Sequence, residues 1–112
     1  MDVLFADEKS ARFFSTHSTL QKRYGATGAA KIALRLQQLV AAPTLAHMRD
    51  LPGRCHALVG DRSGQFAVDV HHPCRLIFES ANALPADDGL SEGRDVWERV
   101  DAVRIIEVVD YH

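Results

Sequence analysis

Val103-Arg104-Ile105-Ile106-Glu107-Val108-Val109-Asp110-Tyr111-His112 is the stretch on which the reading of this chain turns. It is rich in β-branched residues and apolar on both parities except at Glu107, which predicts a strand covered on both faces in its middle. Three polar side chains able to do chemistry then follow. With a side-chain period of two, Asp110 and His112 share one face and Tyr111 takes the other. A core strand would thus deliver an acid, a phenol and an imidazole to the rim of a sheet.

Working back from that strand, residues 54 to 80 also show period two. Arg54 to Val59 reads as a strand, Gly60-Asp61-Arg62-Ser63-Gly64 as a turn, and Gln65 to His71 as a strand with Phe66, Val68 and Val70 on one face. Pro73 marks the next turn, and Cys74 to Ser80 alternates Leu76 and Phe78 against Arg75, Ile77 and Glu79. The three form an antiparallel meander. If Leu76 and Phe78 face the core, Arg75 faces away from it. Asn82 to Arg94, with Pro85, Gly89 and Gly93, reads as a long loop, and the residues around Trp97 as one turn that folds back onto the sheet.

The N-terminal half changes period. Asp2 to Ala6 is a short first strand, Asp7 an N-cap, and Phe13, Phe14, His17, Leu20 and Tyr24 recur at helical spacing up to Gly25. This places His17 on the packed stripe. A second helix, capped by Thr27, buries Ile32, Leu36, Leu39 and Val40 and stops at Pro43. Small residues at Ala29, Ala30 and Ala33 let the two helices approach as an αα-hairpin. Thr44 to Gly53 reads as a turn or loop ending in Leu51-Pro52-Gly53. The fold class is therefore α+β: an N-terminal strand and an αα-hairpin packed on a mainly antiparallel sheet.

With 112 residues and 46% hydrophobic content, the chain can bury one core, so a single domain is expected. No apolar run approaches the roughly 20 residues of a bilayer span, and the start has neither a basic n-region nor a long apolar one, so the expectation is a cytoplasmic protein with no membrane partner. The net charge of −2 hides an asymmetry, since residues 1 to 56 hold 8 Lys/Arg against 4 Asp/Glu and residues 57 to 112 hold 5 against 11. The basic half, including Lys31 and Arg35, could meet nucleic acid or an acidic protein, or simply be a solvated helix face.

The two cysteines, Cys55 and Cys74, fall on the first and third strands of the meander, about 10 Å apart at two interstrand spacings, beyond disulfide reach. Two free thiols are expected. His56, His71, His72 and His112 show no CxxC, HxxxH or HExxH spacing with each other or the cysteines, so no metal and no cofactor is expected.

Three runs taken together carry a family resemblance. Cys55-His56-Ala57-Leu58-Val59-Gly60-Asp61-Arg62-Ser63-Gly64-Gln65-Phe66, then Pro73-Cys74-Arg75-Leu76-Ile77-Phe78, then Val109-Asp110-Tyr111-His112 resemble the HigB branch of the RelE-type toxins. The preceding strand and αα-hairpin match that fold's order. The resemblance implies a toxin of a type II toxin-antitoxin system that cuts messenger RNA in the decoding site of a translating ribosome. Its implied partner is a helix-turn-helix antitoxin, HigA-like, which would form a hetero-oligomer with it and repress their operon.

The positions this resemblance carries over are His56, Arg75, Asp110, Tyr111 and His112. RNA cleavage without a metal needs a base for the 2′-hydroxyl proton, a cation for the phosphate and an acid for the leaving 5′-oxygen. Histidine suits either proton role, and arginine's planar fork suits the phosphate. His112 would act as acid or base beside Asp110 and the terminal carboxylate, His56 as the second proton carrier, Arg75 as the phosphate clamp and Tyr111 as a base-stacking or hydrogen-bonding group. Arg54, Arg62, Lys31 and Arg35 are the candidate RNA-binding cations. Val59 stands where many family members place a lysine, which shifts any missing charge onto Arg54 or Arg62.

The plainer readings stay open: a solvated strand end for Asp110 to His112, an ion pair of Arg75 with Glu79 or Asp69, and an unremarkable His56. A second function from another class is a catalytically weak homologue acting mainly as a co-repressor with its antitoxin.

Overall fold

The computed structural model describes residues 1–82 and 94–110. The first strand, β1 (Asp2–Phe5), leads to Asp7, whose side chain accepts a hydrogen bond from the Ser10 amide at 2.7 Å and so caps α1 (Glu8–Ser15). Thr16 is extended and interrupts the helix before α2 (His17–Ala41). Gly25, at φ 79°, then bends α2 into two limbs, so the hairpin turns where the sequence places its glycine.

Two expectations fail here, each at a break in the helix. The break at Thr16 resets the helical phase, so His17 is exposed and does not continue the Phe13/Phe14 stripe. Thr27 lies inside the second limb, which begins at the Gly25 break and not at a threonine cap. On that limb Ile32 and Leu39 are buried and Leu36 half-buried, but Val40, at the solvent-facing end, is exposed. The segment expected to be a loop contains a 3-10 helix, Leu45–Asp50, whose Leu45 and Met48 close the core.

Among the described residues the sheet has five strands in the order β1-β5-β4-β3-β2, with β2 (His56–Ala57), β3 (Gln65–Asp69), β4 (Cys74–Ser80) and β5 (Ala102–Asp110). All neighbours are antiparallel except β1 with β5. The strand expected over 54 to 59 shrinks to two residues because positive φ at Gly53, Arg54 and Gly60 closes it off at both ends. Phe66 pairs with Phe78 and Val68 with Leu76, and these four lie under the helices with Phe14, Leu20, Ile32, Leu39, Val103 and Ile105. Each fully buried side chain of this size contributes roughly 1.5–3 kcal/mol.

Trp97, on the one-turn helix α3 (Arg94–Glu98), closes one side of this core. It is 0% exposed, meets Phe66 edge-on at 5.2 Å and lies under the Arg49 guanidinium at 4.1 Å. Both cysteines are half-buried, and neither is in a disulfide among the described residues.

A bulge in β5 decides what the other face of the sheet carries. Ile77 pairs with Glu107 but Phe78 pairs with Ile105, so Ile106 is an extra residue and the alternation flips there. Beyond the bulge Glu107 and Val109 stand opposite Ile77 and Arg75, on the face away from the helices, while Val108 and Asp110 stand opposite Leu76 and Cys74, on the helix side. The face away from the helices therefore presents His56, Gln65, Asp69, Arg75, Glu79, Arg104 and Glu107.

Candidate functional site

Asp69 is the centre of the polar cluster on this open face. Its amide donates to Gly53 O at 2.7 Å, which docks the turn before β2 against the end of β3. Its Oδ2 accepts from Arg54 Nε at 2.7 Å, and Arg75 Nε lies 3.1 Å from Oδ1. The Arg75 contact is off the donor axis, so no hydrogen bond reaches this buried oxygen among the described residues and the attraction is Coulombic. One carboxylate thus faces two guanidinium groups.

Burial assigns the two arginines different freedom. Arg75 is half-buried, whereas the Arg54 side chain is 74% exposed even though its backbone sits at φ 51°, a conformation that costs an L-residue about 1 kcal/mol. Together with Asp69, His72, Pro73 and Cys74 they line a small hollow at the β3–β4 end of the sheet. The peptide between His72 and Pro73 is cis.

His56 belongs to the same cluster through its backbone neighbour. Its Nδ1 lies 2.7 Å from Arg54 O, and because a carbonyl only accepts, Nδ1 carries the hydrogen and Nε2 is the nitrogen left for chemistry. His56 pairs with Ala67, two residues along β3 from the Asp69–Arg75 pair, so imidazole and guanidinium share a face about 12 Å apart at the backbone.

The remaining sequence candidates fall in different places. Asp110 does not join Arg75: the β5 bulge turns it to the helix side opposite Cys74, whose thiol is pushed up first by burial and then by the Asp110 charge. Tyr111 and His112 lie outside the described residues, as does most of the expected loop from Asn82 to Arg94. Lys31 is exposed on the outer side of α2, across the protein from the open face.

Arg35 is not a surface cation at all. It is 5% exposed, donates from Nε to Asp69 O at 2.7 Å and from Nη1 to Gln38 Oε1 at 3.0 Å. The sequence placed it on a basic helical stripe, but its side chain passes inward and supports Asp69 from behind. Arg62 reaches from the β2–β3 turn over the open face, donating to Gln65 Oε1 at 2.8 Å and to Glu107 Oε2 at 2.6 Å. Because β4 lies between β3 and β5, this side chain must cross β4, on the face without helices where Ile77 is fully buried. Val59, at the lysine position of the resembled family, is 83% exposed and apolar.

Asp69 was visible in sequence only as a possible partner for Arg75, and Glu107 only as a polar interruption in a strand. Nothing local marks either as a hub, since their partners come from 15 and 45 residues away. Among the described residues no group of three or more His, Cys, Asp or Glu is gathered as metal ligands, and no helix is long and apolar enough to cross a membrane.

No family model matches the sequence, and no curated protein matches it. Solved structures do match the fold. A YoeB/ParE toxin from Agrobacterium tumefaciens aligns over 100% of both chains with a TM-score of 0.58 and 13% identity. A chain of the YoeB-YefM complex from Staphylococcus aureus aligns over 100% of this chain and 97% of that one, with a TM-score of 0.55 and 13% identity. The fold class read from sequence, helices on a five-stranded and mostly antiparallel sheet, is thus the fold of these toxins.

Proposed function

We propose that this protein is the toxin of a type II toxin-antitoxin system, of RelE type and HigB branch, and that it cuts messenger RNA on the translating ribosome in the cytoplasm. The observation that carries the reading is the grouping of His56, Arg54 and Arg75 around Asp69 on the open face of a sheet whose fold is that of the YoeB/ParE toxins.

In this reading the open face accepts one ribose-phosphate link. A base removes the 2′-hydroxyl proton, the 2′-oxygen attacks phosphorus, the bond from phosphorus to the 5′-oxygen breaks, and an acid protonates that oxygen, leaving a cyclic phosphate and a 5′-hydroxyl. His56 Nε2 takes one proton role and His112 the other, with Tyr111 stacking on a base. Arg54 and Arg75 neutralise the phosphate as charge builds on it. Asp110, on the other face, acts at most on the strand end that carries His112. The chemistry calls for no cofactor.

The partner is an antitoxin encoded alongside, of helix-turn-helix, HigA-like type; the neighbour solved as a YoeB-YefM complex supports a partner but not its type. A second reading, a catalytically weak homologue serving chiefly as co-repressor, is favoured by the apolar, exposed Val59.

Inducible expression separates the two. Growth arrest with cleaved messenger RNA, lost on deleting His112 and suppressed by the neighbouring gene, is the expected result. Absence of arrest and cleavage in both forms, with operator binding that needs this chain, replaces the nuclease by the co-repressor.

A further inference from the structure

The Arg62 side chain lies across the middle of the face that the proposed reaction needs. Its two terminal nitrogens are held by acceptors on different strands, Gln65 on β3 and Glu107 on β5, so the guanidinium spans β4. A carboxylate and a phosphodiester offer an arginine fork the same thing, oxygens sharing negative charge, and the fork can exchange one for the other. The ion pair is half-exposed on both sides, with the Arg62 side chain 33% and that of Glu107 46% exposed, which makes it weak and exchangeable.

Position gives the exchange a meaning. Glu107 stands opposite Ile77, and Arg75 opposite Val109, so the two cations belong to rows two residues apart along β5, about 7 Å. That is close to the step between neighbouring phosphates of an extended nucleotide chain. The flanking pair, Arg104 with Glu79 at 2.9 Å, is complete within itself and leaves Arg62 as the cation nearest the Glu107 carboxylate.

We propose that Arg62, with Gln65, forms a second phosphate subsite beside Arg75, and that Glu107 keeps it closed in the free protein by occupying the place of the incoming phosphate. The ligand is a single-stranded nucleic-acid backbone, and this inference rests on the RNA reading above. Entry of the strand displaces a carboxylate, so free protein binds RNA less tightly than the same face without Glu107 would.

The test is binding of a fluorescent ten-nucleotide RNA to the full chain, with a cycle of Glu107→Gln, Arg62→Ala and the double variant, each checked for an unchanged fold by thermal unfolding. Glu107→Gln is expected to tighten binding roughly five-fold, the range of a surface ion pair. Arg62→Ala should weaken it and make the dependence on log salt shallower by about 0.7, one phosphate contact. Glu107→Gln should then add nothing on the Arg62→Ala background. Arg62→Lys, which keeps charge but loses the fork, should recover only part.

Binding by the unaltered chain that Glu107→Gln leaves unchanged or weakens overturns the subsite while the nuclease reading stands. A gain from Glu107→Gln that persists without Arg62 also overturns it, as does an equal gain for an oligo-glutamate decamer, which would mark a site for acidic protein. RNA binding in none of the forms overturns both. The full pattern in a chain that binds but does not cut RNA upholds the subsite and removes the nuclease.

Discussion

His56 and Arg54 are locked to each other through the backbone: the imidazole Nδ1 donates to Arg54 O at 2.7 Å while the Arg54 side chain reaches Asp69. One turn thereby sets both the tautomer of a proton carrier and the position of a cation. Its geometry comes from Gly53 and Arg54, which both have positive φ.

If His56 carries a proton in RNA cleavage, His56→Gln should lower the cleavage rate by about 10²–10⁴-fold with ribosomes present, at an unchanged melting temperature. Growth arrest on induction gives a cheaper readout of the same loss. Full cleavage by His56→Gln would remove this residue from the mechanism.

Asp69→Asn keeps the shape but removes the charge between Arg54 and Arg75. The two guanidinium groups then repel without a counter-charge, and stability should fall by about 1 kcal/mol in urea unfolding. The loss should shrink in 1 M salt, where exposed charges are screened.

Gly53→Ala tests the turn itself. A Cβ there would stand 2.7 Å from Val68 Cγ2 and 3.1 Å from Arg35 Cζ, on a backbone at φ 119° that L-residues avoid. A loss of about 2–3 kcal/mol is expected, together with lost protection of the Asp69 amide in hydrogen exchange.

Arg35→Met should cost about 2–3 kcal/mol by leaving Asp69 O without its buried donor. Lys31→Met, by contrast, should leave stability within about 0.5 kcal/mol, since Lys31 is exposed. Comparing the two melting curves separates an internal support from a surface cation, though both residues read alike in sequence.

The pH dependence has a fixed sign. Cys74, above its usual 9.0, is raised by burial and then by Asp110; Tyr24, above its usual 10.0, is raised first by burial, against Arg23 and with Cys74 and Glu107. Both groups are neutral below those ordinary values in folded and unfolded chains alike, and their contribution to stability is then complete. As pH climbs past 9.0 and 10.0 the unfolded chain ionises first, so stability is lost until the raised folded values are passed. Melting temperatures from pH 8 to 11 should fall, and less steeply in Cys74→Ala and Tyr24→Phe.

The sequence by itself determined the order and type of the main elements. Period-two alternation put Phe66, Val68, Leu76 and Phe78 on one face and Arg75 on the other, the cap at Asp7 and the break at Gly25 placed the helices, and the family resemblance pointed to His56 and Arg75. These are local signals, set by spacing along a few residues, and they survive into the fold because they are the cause of its elements.

What only the tertiary structure decided is how distant residues meet. A single extra residue at Ile106 flips the alternation of β5, turning Asp110 to the helix side and Glu107 to the open face, and no spacing rule announces such a bulge. The helix phase carries Arg35 inward to Asp69, and chain crossing brings Arg62 to Glu107. Those partners are chosen by packing and Coulomb attraction between elements distant in sequence, which only the assembled fold brings within reach.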